Sequence, residues 1–145
     1  MSTLARMQIE LGQTASVVRV VSEADTAAAV GSGDLEVLAT PTLLAWLEAA
    51  TIEICGATDT ETTVGTRIAL DHVRPSAVGA EVTCEATVGD IDGNRITFKV
   101  EATQRHKEED VLIGRGVVVR ALVGREKFLA KLDRRATDRS SPEGT

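Results

Sequence analysis

Three polar side chains, Thr40, Glu48 and His72, stand where they could do chemistry. Thr40 and Pro41 head the stretch TLLAWLEAATIEIC, which runs to Gly56 with only two charges, Glu48 and Glu53. Thr40 suits a helix N-cap, Pro41 the first helical position and Gly56 the stop, so the spacing predicts a helix over about 42–56. Counting 100° per residue from Leu43, Leu47, Ala50 and Ile54 fall within about 40° of it. Glu48 comes at about 140°, with Leu44 at about 100°, Cys55 at about 120° and Ile52 at about 180°. A carboxylate among such neighbours has its charged form disfavoured, and it becomes a good base if a cation or donor compensates. His72 is the obvious compensator, being the only histidine on a predicted core strand; His106 falls in the charged loop RHKEED. Cys55 and Cys84 lack CxxC spacing and read as small buried apolar residues, with no disulfide framework and no metal pattern.

The elements that must position these residues follow from β-branched runs and turn signals. TASVVRVV (14–21) reads as a strand, followed by a polar, glycine-punctuated segment, SEADTAAAVGSGD, and a short apolar stretch over 35–39. After the helix come four strand-like runs over 62–73, 80–89, 95–104 and 111–122. Pro75 with Gly79, the hairpin signal Asp92-Gly93-Asn94 and the loop HKEED separate them. A short terminal helix or extension over 126–132 precedes a solvated tail. The expectation is one α+β domain over 1–134, an antiparallel sheet wrapped around a helix that is covered on most sides by the sheet or by the sheet and a partner subunit, with a tail over 135–145.

Composition removes several functions. The only aromatic residues among 145 are Trp46, Phe98 and Phe128, so base stacking on aromatic platforms is nearly excluded. Twenty-two acidic against 16 basic residues leave a net charge of −6, which repels phosphate backbones and anionic lipid surfaces. No apolar run approaches the roughly 20 residues of a membrane span, and the first residues hold no signal-peptide pattern. A cytoplasmic protein with no nucleic-acid and no membrane partner is expected.

A sheet around one long apolar helix is the hotdog architecture, and particular segments carry a closer likeness. LEVLATPTLLAWLEAATIEI resembles the helix entry of hotdog thioesterases, specifically the fluoroacetyl-CoA thioesterase-like group, in which a Thr precedes the central helix and a Glu follows eight residues on; these are Thr40 and Glu48. VGTRIALDHV resembles that group's strand with an active-site His and an earlier Gly, here His72 and Gly65. VVRALVGREKFLAKL is similar near the C-terminus, matching an Arg at Arg120 and Glu-Lys-Phe at Glu126 to Phe128. The likeness spans about residues 12–132. It implies a hotdog fold, hydrolysis of a small acyl-CoA to free acid and CoA, catalytic Thr40, Glu48 and His72, substrate-binding Gly65 and Arg120, no cofactor beyond the CoA of the substrate, no metal, and a homodimer with sites completed by both chains. Where the fluoroacetyl-specific enzyme is similar in having a phenylalanine-lined lid, this chain has GSGDLEV, with Gly31 and Asp34 at the ring positions. Fluoroacetyl is therefore not the expected acyl group.

Thioester hydrolysis requires a base, an attacking oxygen and donors for the oxyanion. Glu48 and His72 supply proton transfer, Thr40 orders the water or attacks directly, and backbone N–H groups at the helix start or at Gly65 face the oxyanion. Arg120 is either a surface strand residue or a contact to the acyl or CoA part. Eight helical residues span about 12 Å, so a joint Thr40–Glu48–His72 site needs regular helix to begin near Leu43, with 39–42 folded back. Two alternatives share these residues: a hotdog hydratase or dehydratase acting on the acyl α,β-carbons, and a non-catalytic acyl-CoA or small-ligand binding protein.

Overall fold

The computed structural model describes residues 8–138. In chain order it contains β1 (Thr14–Val20), a 3-10 turn (Glu23–Asp25), α1 (Ala27–Val30), α2 (Thr40–Cys55), β2 (Glu61–His72), β3 (Glu81–Asp92), β4 (Arg95–His106), β5 (Glu109–Gly124) and α3 (Arg125–Asp138). The strands form one antiparallel sheet in the order β1-β3-β4-β5-β2, with α2 packed on one face. This is the α+β hotdog arrangement that the sequence predicts.

Alternation builds the core. Val82, Cys84, Ala86 and Val88 of β3 and Ile96, Phe98, Val100 and Ala102 of β4 are buried on the face that meets α2. From the helix come Leu43, Leu47, Ala50, Thr51, Ile54 and Cys55, the stripe expected from a 3.6-residue period. Each such Leu contributes on the order of 1.5–3 kcal/mol by leaving water. Phe98 is the one aromatic ring fully inside.

Four expectations need correction. First, HKEED is not a loop: β4 and β5 pair to the end of the hairpin, His106 opposite Glu109 and Arg105 opposite Asp110. The latter two also form an ion pair at 3.2 Å, which leaves a two-residue turn with Lys107 at φ 58. Second, α2 starts at Thr40 and not near Leu43. Ala39 is extended (φ −68, ψ 138) and its carbonyl accepts from Leu43 N at 3.0 Å. Pro41 sits in the first turn, where a missing N–H costs nothing, so no irregular turn is needed. Third, the sheet alone does not cover α2 on most sides: within the protomer Ala45, Glu53 and Ile52, the last 48 % exposed, point outward. Fourth, α3 runs on to Asp138, so the tail drawn from 135 begins inside a helix, and 139–145 lie outside the described residues. Among the described residues no helix is long and apolar enough to cross a membrane.

Two features of this scaffold aim the polar residues. Gly114 faces His72 across β5 and β2, and a Cβ there would come within 3.0 Å of Leu43 Cδ2. The missing side chain lets the first turn of α2 settle over the end of β2. The second is a bulge between Gly65 and Arg67 in β2, where Thr66 has no register partner; bulges bend a strand and re-aim its side chains.

Candidate active site

The structure sorts the expected constellation into two pairs on one helix. Thr40 is not a cap: the N-cap position is Ala39, without any side-chain cap, and the Thr40 hydroxyl instead lies 2.8 Å from His72 Nδ1. Two helical turns away, about 12 Å along the axis, Glu48 Oε2 accepts from Arg120 Nη1 at 3.2 Å. Within one chain Glu48 therefore partners Arg120 and not His72. The compensating cation is the arginine, which sequence reasoning had left between surface and substrate. Nor is Glu48 sealed by the neighbours expected of it, since its side chain keeps 29 % exposure and Ile52 faces outward.

The first pair borders a cavity of about 280 Å³ lined by Thr40, His72 and Arg74 with Ala27, Ser32, Val37 and a few further apolar residues. The segment before α2 thus contributes to the cavity through Ser32 and Val37. Gly31 and Asp34, at the ring positions, are exposed and do not line it. Burial holds the His72 pKa below its ordinary value, partly offset by a hydrogen bond with the backbone at Arg74. The ring is therefore neutral at neutral pH and able to accept a proton. Its Nε2 is buried with no hydrogen-bond partner among the described residues, although a buried polar atom ordinarily has one. Arg74 donates through Nη1 to the Leu112 carbonyl at 2.6 Å.

The second pair is a tighter assembly. Arg120 is 6 % exposed, so it is not a surface strand residue. Its Nε donates to Thr63 Oγ1 at 2.9 Å and its Nη2 to the Thr63 carbonyl at 3.0 Å, leaving Nη1 for Glu48. Gly65, opposite Arg120 in the β2–β5 register, explains why the carboxylate fits: a Cβ there would lie 2.7 Å from Glu48 Oε2 and 3.7 Å from Arg120 Nη1. Gly65 makes room for the acid, a more specific role than leaving an approach open. Cys55 closes the assembly; burial pushes its thiol pKa up, tempered by a hydrogen bond with Thr63 and by the charge of Arg120. Cys84, deep in β3, is pushed up to about 12 by burial, as befits an inert core residue.

Thr63 is the residue that the sequence alone did not single out. A signal existed: Val118, Arg120 and Leu122 alternate onto the buried face of β5, and an arginine in that register demands buried acceptors.

Against known proteins, the sequence matches the fluoroacetyl-CoA-specific thioesterase family over residues 21–126. No curated protein matches the chain. Among solved structures, a Thermus thermophilus hypothetical protein described as a thioesterase superfamily member superposes with a TM-score of 0.80 at 27 % identity, covering 93 % of this chain and 98 % of its own. A point mutant of the fluoroacetyl-CoA-specific thioesterase FlK gives 0.76 at 26 %, covering 87 % and 96 %. A hot-dog-like protein from Thermanaerovibrio acidaminovorans gives 0.80 at 21 %, covering 92 % and 96 %, a likeness of fold alone. With the family matched over most of its length and the fold shared, the chain belongs to the fluoroacetyl-CoA-specific thioesterase family.

Proposed function

We propose that this protein hydrolyses a small acyl-CoA to the free acid and CoA, in a homodimer whose active sites join the two pairs across the interface. Thr40 and His72 of one protomer face Glu48 and Arg120 of its partner. The observation that carries this reading is the hydrogen bond of 2.8 Å between the Thr40 hydroxyl and a neutral imidazole beside a cavity of about 280 Å³. That volume suits a short acyl group.

In this arrangement His72 Nδ1 takes the proton of the Thr40 hydroxyl as the oxygen attacks the thioester carbonyl, the activated-nucleophile logic of serine hydrolases. A neutral ring accepting at Nδ1 carries its proton on Nε2. The partner's Glu48, poised on its own arginine, accepts from that Nε2–H and stabilises the imidazolium as it forms. The protonated ring then delivers its proton to the departing CoA sulfur. Water releases the acyl group from Thr40 by the same route in reverse roles. Backbone N–H groups in the first turn of α2 face the developing oxyanion, where the helix dipole adds to their effect.

Two features support the dimer. β2 is an edge strand whose residues 65–69 are exposed, and an unpaired edge is closed most simply by a second copy across a twofold axis. The uncovered side of α2 is the other. A solved complex of a point mutant of FlK holds fluoroacetate and CoA; without phenylalanine at Gly31 and Asp34, the small acyl group expected here is not fluoroacetyl. Location in the cytoplasm fits a CoA ester as substrate.

The test is a panel of acyl-CoAs with release of free CoA as readout, using Glu48→Ala and His72→Ala as controls. Release by wild type and a drop of at least about 100-fold in both variants is the expected result. Glu48→Ala turning over at the wild-type rate would refute the mechanism. Binding without release would instead indicate a carrier, and interconversion of enoyl and 3-hydroxyacyl thioesters a hydratase.

A further inference from the structure

The guanidinium of Arg120 has two edges, and one residue holds one of them. Nε–H and the parallel Nη2–H point to the same side, and both end on Thr63, one on its hydroxyl and one on its carbonyl. The remaining nitrogen, Nη1, is the one that holds Glu48. The delocalised guanidinium is planar, and with Nε and Nη2 both held it cannot swing about its Cδ–Nε bond without breaking both hydrogen bonds, so its third nitrogen has a fixed direction. We infer that Thr63 is a positioning residue: its hydroxyl and carbonyl set the plane of Arg120 and, through Nη1, the place of the Glu48 carboxylate. The inference rests on the thioesterase reading only for the role of Glu48; the clamp itself stands on distances.

The surroundings support a built site over an incidental contact. Thr63 is 7 % exposed and Arg120 6 %, so neither bond competes with bulk water. Thr63 and Arg120 are diagonal neighbours on adjacent strands, Thr63 opposite Leu122 and Arg120 opposite Gly65. A β-branched residue in a strand has a stiff χ1, which gives the hydroxyl a fixed direction. While accepting from Arg120 the same hydroxyl is free to donate, and the Cys55 sulfur is its partner. The Glu48 carboxylate, by contrast, is partly exposed, and Arg120 is its one hydrogen-bond partner among the described residues. Gly65 gives the carboxylate room without holding it, so among the described residues the direction of the acid comes from Arg120.

The test separates the hydroxyl from the shape of the side chain. Thr63→Val keeps volume and branching but removes the acceptor for Nε–H; Thr63→Ser keeps the acceptor. With the best acyl-CoA of the panel, Thr63→Val is expected to lower kcat about 10- to 100-fold, the scale of loss from a misplaced catalytic group, with KM within about twofold. Thr63→Ser is expected to recover kcat to within about threefold of wild type. In 15N-labelled protein the Arg120 Nε–H resonance exchanges slowly with water in wild type and Thr63→Ser and rapidly in Thr63→Val. Wild-type kcat in Thr63→Val, or Thr63→Ser as impaired as Thr63→Val, overturns the clamp. If wild type releases no CoA from any acyl-CoA, the thioesterase reading fails instead. The resonance then decides alone, and fast exchange in wild type overturns the inference.

Discussion

At the scale of single residues, the identity of a few atoms separates activity from stability. Gly65 is the clearest case. Its Cβ would meet the tip of a flexible side chain, Glu48 Oε2 at 2.7 Å, so the carboxylate yields and the fold does not. Gly65→Ala is expected to reduce kcat/KM at least about 10-fold while circular dichroism and Tm stay close to wild type; a large Tm loss with intact turnover would mean that the glycine serves the strand. His72 makes a pH prediction. Within one chain burial lowers its pKa from 6.5, the partner's Glu48 carboxylate in the proposed site raises it again, and a base works only when neutral, so activity rises as pH climbs through the resulting value. The acid limb of kcat/KM should move to lower pH in Glu48→Gln, which leaves burial without the opposing carboxylate, and an unmoved limb would contradict that contact. Thr40 shows the limit of reading residues from sequence. Thr-Pro is what an N-cap looks like, and nothing local distinguishes a hydroxyl turned onto its own helix from one reaching a histidine 32 residues away.

At the scale of elements, local signals were legible and long-range ones were not. The five strands and α2 follow from β-branched runs, alternation and the Thr-Pro and Gly punctuation, and the buried stripe of α2 falls on the residues that a 100° count selects. Strand order is another matter. That β2 lies beside β5, across the sheet from its sequence neighbour β3, depends on a crossover that no turn signal encodes. This crossover brings Thr63 and Gly65 to Arg120. The two-residue turn at Lys107 was read as a loop because its charged residues resemble one; the pairing of Arg105 with Asp110 is a cross-strand contact, visible only once the register is known. The helix–sheet contact also carries the stability. Leu47→Ala, at a fully buried position of the helix that packs on the sheet, should cost about 2–5 kcal/mol, measured by urea denaturation; a loss under about 1 kcal/mol would contradict the packing described for α2.

At the scale of the whole molecule, one chain keeps the two polar pairs of α2 too far apart to meet, and the proposed site joins them across two chains. Thr40 with His72 sits at the N-terminal end of α2, and Glu48 with Arg120 two turns on. Two copies related by a twofold axis can bring the first half of each against the second half of the other, and the exposed β2 edge offers the seam. Ile68→Asp, on that edge and 37 % exposed in the single chain, should lower the mass in light scattering from roughly twice 15.3 kDa to one chain, abolishing CoA release while the strands remain folded. The family likeness implies dimerisation, and the exposed β2 edge and the uncovered side of α2 give it a physical reason. The most direct measurement is complementation between two inactive variants. Glu48→Ala and His72→Ala chains, unfolded together and refolded as a mixture, form mixed dimers that contain one site with both residues intact. Random pairing makes about half of the dimers mixed, each with one working site of two, so the mixture should recover about a quarter of wild-type CoA release. Recovery of no activity from a mixture shown to contain mixed dimers would place the whole site within one chain and contradict the account.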